Sequence, residues 1–227
     1  MHKRRRIRPV YLSLATVLIT LVAMSGCAVP GYNEREAMLF EDKLHAELKV
    51  GSFSPASDHF SGATGPGIRF SYEYEYGMHF GFQLTSIKNV EGNSVPGPLF
   101  GESMIGSSDR DTFTLNFDWE VPVSKDDNVP YFRYGFGVGL LSVKNKLSNA
   151  FVPSPGQEVK IPSQPMFLLS PSASLRWDLV DTLTLFVEAQ YDIASHDLVV
   201  NINDDGDRYG DVDYGGLMGF VGIDYSF

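Results

Sequence analysis

The chain has 227 residues, with 18 Lys and Arg against 28 Asp and Glu, 22 glycines, one cysteine and 13% aromatic residues. A formal charge of −10 argues against nucleic-acid binding, because phosphates call for a basic surface. The lone cysteine excludes an internal disulfide, and aromatic- and glycine-rich sequence without a long helical pattern points to an all-β chain.

Residues 1–26 read as an export signal. Lys3, Arg4, Arg5, Arg6 and Arg8 form a basic start, and the mainly apolar run Val10–Met24 is 15 residues long. A membrane-spanning helix needs about 20 apolar residues, so the run fits a signal better than a span. Without these residues the chain keeps 13 Lys and Arg against 28 Asp and Glu, a formal charge of −15. Met24-Ser25-Gly26-Cys27 then resembles the lipobox of bacterial lipoproteins. That resemblance implies that Cys27 becomes the first mature residue and carries a lipid. Ordinary cleavage after Ser25 or Ala28 would instead leave Cys27 incidental. Residues 27–42, with Pro30, Gly31 and Asn33, read as the cysteine and a periplasmic tether.

From residue 43 to 227, period-two alternation recurs eight times, which is the pattern of half-buried strands. The first strand sets Leu44, Ala46, Leu48 and Val50 against His45, Glu47 and Lys49. Ile68 to Tyr76 follows, with Arg69 and Glu73 on its polar face, and then Met78 to Leu84, with His79 and Gln83. The fourth alternates Phe113, Leu115, Phe117, Trp119 and Val121 with Thr114, Asn116, Asp118 and Glu120. Arg133, Gly135, Gly137 and Gly139 face away from Phe132, Tyr134, Phe136, Val138 and Leu140 in the fifth. Ser170, Ser172, Ser174 and Arg176 mark the polar face of the sixth, and Thr184, Glu188, Gln190 and Asp192 that of the seventh. In the last strand Leu217, Val221, Ile223, Tyr225 and Phe227 share a face opposite Asp224 and Ser226.

Connections after the second, fourth and sixth strands are short. Those near 55–66, 89–110, 145–164 and 197–210 are longer and rich in Gly, Pro, Ser and Asp, so they read as flexible loops. Short turns at one end and long loops at the other suit a transmembrane barrel. A soluble lipocalin-like barrel would turn Gly135, Gly137 and Gly139 to water, where they weaken a strand and gain no packing. Inside a narrow barrel the same glycines save volume. Tyr74, Tyr76, Trp119, Trp177, Tyr225 and Phe227 would form an aromatic girdle at the turn end.

The closing Gly222-x-x-Tyr225-x-Phe227 resembles the terminal assembly signal of bacterial outer-membrane barrels, departing from it at Phe220, where a polar residue is usual. With this layout the chain is similar to the small outer-membrane barrels of the OmpA/OmpX-like superfamily. That resemblance implies an eight-stranded antiparallel up-and-down transmembrane β-barrel in the outer membrane. Its partners would be membrane lipid, lipopolysaccharide and the barrel-assembly machinery, and the protein would be a monomer with a structural or surface-binding role. No cofactor or resident metal is expected.

Glu47, Glu73, Asp118, Glu120, Arg133, Arg176, Glu188 and Asp224 fall on the inward face. Buried charges must be paired, so Arg133 and Arg176 are expected to bridge to Glu73, Asp118, Glu120, Glu188 or Asp224 as a plug. Small barrels that modify lipid A offer the enzymatic alternative. Ser195, His196 and Asp197 are consecutive, however, so on a strand they cannot converge as a triad. His196 with Ser107 or Ser108 is the remaining pairing, and no catalytic residue is assigned. Asn201-Ile202-Asn203-Asp204-Asp205-Gly206-Asp207 partly matches a calcium loop, but Val212 stands where the bidentate Glu belongs.

Overall fold

Alternation is expressed as eight antiparallel strands closed into a barrel, each bonded to its neighbour in the chain order of an up-and-down meander. The computed structural model describes residues 43–57, 60–74, 77–92, 105–122, 130–148, 155–156, 158–203 and 205–227. The export signal, Cys27, the tether and Tyr76 lie outside the described residues. The barrel strands are β1 (Lys43–Pro55), β2 (Ala63–Tyr74), β3 (Met78–Glu91), β4 (Ile105–Pro122) and β5 (Tyr131–Leu147). After a two-residue strand β6 (Val159–Lys160) come β7 (Gln164–Val180) and β8 (Leu183–Asp192). Two further strands, β9 (Ser195–Ile202) and β10 (Asp205–Asp213), precede the last barrel strand, β11 (Gly216–Ser226). Closure is made by β1 on β11, with Glu47 opposite Asp224 and Lys49 opposite Gly222.

The outer surface carries a belt of exposed apolar side chains, including Leu48, Phe70, Phe80, Phe113, Leu115, Leu140, Val187 and Ile223. On β4 it runs from Phe113 to Val121, nine residues, which matches the height a tilted strand needs to cross hydrocarbon. An apolar surface this continuous belongs in lipid and is incompatible with a soluble cup. At the end where β1 begins and β11 ends, Tyr74, Tyr225 and Phe227 are exposed, and Trp119 stacks on Tyr134 with centroids 6.1 Å apart. At the opposite edge the outward residues turn polar, as Ser86 and Lys88 on β3, Asp111 on β4 and Lys144 on β5.

Two expectations are corrected beyond that edge. Most of 197–210 and parts of 89–110 and 145–164 are strand and not flexible loop: β4 begins at Ile105, β5 runs on to Leu147, and β9 pairs with β10. The calcium-like segment belongs to this hairpin, with Asp205 opposite Ile202 and Gly206 opposite Asn201, and β6 adds a third strand beside β9. The lumen also holds rings and aliphatic groups, whereas the alternation reading expected a polar interior and an apolar exterior. Phe53, Phe60, Ile87, Ile105, Leu141, Val143, Leu168, Met218 and Phe220 belong to one buried apolar cluster. The strands outrun the membrane, and above its edge the apolar face must swap from outside to inside to escape water.

Candidate functional site: the interior charge network

Below the apolar cluster the lumen is filled by ionic and amide side chains. They reach it because inward positions on a strand are every second residue, so His45, Glu47 and Lys49 enter from β1, and Arg69 and Glu73 from β2. His79 and Gln83 come from β3, Asp118 and Glu120 from β4, Arg133 from β5, Arg176 from β7, Glu188 and Gln190 from β8, and Asp224 from β11.

Glu47, only 1% exposed, is the hub. Its Oε1 accepts a hydrogen bond from Arg133 Nη1 at 2.8 Å and two from Arg176 at 3.1 Å, and its Oε2 lies 3.6 Å from Arg69 Nη1. Arg133 also donates to Glu120 Oε1, through Nε at 2.7 Å and through Nη2. Arg176 Nη2 donates to Asp224 Oδ2 at 2.5 Å, and the same oxygen lies 3.0 Å from His45 Nδ1. His45 Nε2 then meets Glu73 Oε2 at 3.1 Å.

A second arm climbs the lumen. Lys49 donates to Glu188 at 2.5 Å and to Gln83 at 2.8 Å, while Arg69 reaches Gln83, Glu188 (3.2 Å) and Asp118 (3.5 Å). Gln83 donates on to Gln190 at 2.9 Å, Gln190 to Asp192 at 2.8 Å, and Arg110 to Asp192 at 3.3 Å. Arg110 ends the arm with its guanidinium 3.8 Å from the Phe53 ring centroid, at the floor of the apolar cluster.

Of the carboxylates expected around Arg133 and Arg176, the geometry places Glu120 and Asp224 there. Glu73 is instead paired with His45, Asp118 with Arg69, and Glu188 with Lys49 and Arg69. Glu47 takes the central place because register puts it across the lumen from both arginines. Sequence patterning overlooked Phe186, an inward ring on β8 that lies 4.7 Å from the Arg176 guanidinium. Gly222 makes room for it, since a Cβ at 222 would fall 2.7 Å from Phe186 Cζ. Tyr225 and Phe227 face outward and pack together at 5.8 Å. His196 is exposed on β9, whereas the Ser108 hydroxyl is buried and bonded to Asn145 at 2.5 Å, so the geometry does not bring that pair together.

No family model matches the chain, and no curated protein does. Among solved structures, the outer membrane protein OprG from Pseudomonas aeruginosa is similar with a TM-score of 0.61 and 14% identity, over 82% of this chain and 96% of that one. The fold is that of a small outer-membrane barrel. A major outer membrane protein from Thermus thermophilus is similar with a TM-score of 0.56 and 13% identity, over 83% of this chain and 100% of that one. At such identities the likeness is one of architecture.

Proposed function

We propose that this chain is an integral outer-membrane protein whose barrel is shut to ions and serves as a structural or surface-binding scaffold. It would hold its strand extensions and the β9–β10 hairpin at the cell surface, facing lipopolysaccharide. The observation that supports the reading is that two sets of side chains share the lumen, the ionic network around Glu47 and the apolar cluster around Leu141, Ile105 and Phe220. Eight strands leave a lumen that side chains alone can fill. The exposed apolar belt supports residence in a bilayer, and the basic start, apolar run and Cys27 support export with lipid attachment. Lys43 and Phe227 lie at one end of the barrel, so a tether from Cys27 would anchor in the leaflet on that side. Gly222, Tyr225 and Phe227 would be read by the assembly machinery, and the barrel would act as a monomer without catalysis.

Single-channel recording in planar bilayers tests the closed barrel. Both the wild type and Arg133→Met are expected to give no step conductance, and a large open conductance would overturn the reading. Incubation with lipopolysaccharide is expected to release no fatty acid, and release would replace the scaffold with a lipid-modifying enzyme. Gel mobility of boiled and unboiled samples tests the membrane assignment. A Cys27→Ala form soluble without detergent and lacking any heat-dependent shift would defeat it.

A further inference from the structure

The strand-terminus end of the lumen contains a cluster in which part of the ionic network meets His79. Glu73, His79 and Glu120, from the adjacent strands β2, β3 and β4, each present a ligand atom, and these atoms lie within 4.8 Å of one another. His45 stands beside them, with its Nε2 3.1 Å from Glu73 and its ring centroid 5.1 Å from that of His79. We propose that these four side chains form a site for one divalent transition-metal ion of the zinc class.

Three observations converge on it. First, His79 is 2% exposed, yet neither ring nitrogen makes a hydrogen bond. Nε2 sits 3.0 Å from Glu120 Oε1 but out of line for donation. A buried imidazole is normally satisfied, and coordination through a nitrogen lone pair would satisfy this one. Second, the spacing is close to that of a coordination shell. Ligands about 2.0–2.2 Å from zinc sit roughly 3.3 Å apart in a tetrahedron, so small side-chain movements would close the set. Imidazole with carboxylate suits zinc and its neighbours, whereas calcium asks for six to eight oxygens.

Third, the buried network is unbalanced. Glu47, Glu73, Asp118, Glu120, Glu188 and Asp224 carry six negative charges, while Lys49, Arg69, Arg133 and Arg176 carry four positive ones. Arg110 and Asp192 pair separately. Surplus charge is costly away from water. One divalent cation would offset this excess of negative charge.

The test uses the folded barrel in detergent, stripped with a chelator and titrated with Zn²⁺ by calorimetry and with Co²⁺ by visible absorption. One saturable equivalent is expected. Glu73→Gln and His79→Ala should each weaken binding at least tenfold while keeping the heat-dependent gel shift. Should His79→Ala fail to fold, ring ¹⁵N shifts of the wild type on adding Zn²⁺ decide the location. Perturbation of His45 and His79 supports the site. Absence of saturable binding, or binding that leaves both rings unperturbed, overturns it.

Discussion

Phe220 lies across Gly51: a Cβ at Gly51 would fall 2.3 Å from Phe220 Cδ1 and 2.4 Å from the Gly219 carbonyl oxygen. The departure from the usual terminal signal is thus a packing choice. The ring is 3% exposed inside the barrel and has the Lys49 ammonium 4.5 Å from its centroid. Gly51→Ala is expected to lower unfolding free energy by about 1–3 kcal/mol through overpacking. Adding Phe220→Leu should recover part of it. Urea titration of the refolded barrel in lipid measures both, and strict additivity of the two changes would refute the contact.

The hub and the surface pairs should respond very differently to mutation. Glu47→Ala leaves Arg133 and Arg176 short of a buried partner, which typically costs about 3–5 kcal/mol. Lys146 meets Asp109 at 3.1 Å in an exposed setting, so Lys146→Ala should cost under about 1 kcal/mol. Equal losses in the same titration would argue against a central role for Glu47.

Asn89 adopts φ 56° where pairing between β3 and β4 slips, and its N–H donates to Asp109 Oδ1 at 3.1 Å. Left-handed backbone suits Gly and Asn and penalises β-branched residues. Asn89→Gly is therefore expected to be near neutral and Asn89→Val to cost roughly 1–2 kcal/mol. Amide exchange at Asn89 should quicken in Asp109→Ala, and unchanged exchange would remove the hydrogen bond from the account.

Trp119 and Trp177 share the belt's turn-end rim, where amphipathic rings sit near headgroups. In Trp177→Phe, Trp119 emission should be quenched more by lipids brominated near the headgroup than by lipids brominated near the chain end. The reverse order would place Trp119 at the middle of the bilayer and break the belt assignment.

The strands were legible where each crosses the belt, because lipid and lumen impose opposite chemistry on alternate residues of Phe113–Val121 and Phe132–Leu140. They were illegible above it, because the alternation inverts there: Leu140 is exposed, and the next residue, Leu141, is fully buried. Two adjacent apolar residues at that point, with Val143 in phase with Leu141, are the signal that could have revealed the inner cluster and the longer strands. The inward charges were legible one strand at a time. Their pairings were not, since Glu47 meets Arg133 and Arg176 only through the register and curvature of the whole ring.

That geometry also dictates timing. Glu47 stands on β1, and its guanidinium partners stand on β2, β5 and β7, of which only β2 adjoins it. A hairpin of β1 and β2 alone would pair Glu47 with Arg69 but lack Arg133 and Arg176. The full set of partners around Glu47 therefore comes together only when the sheet curls shut, which links completion of the network to the closure of β1 on β11.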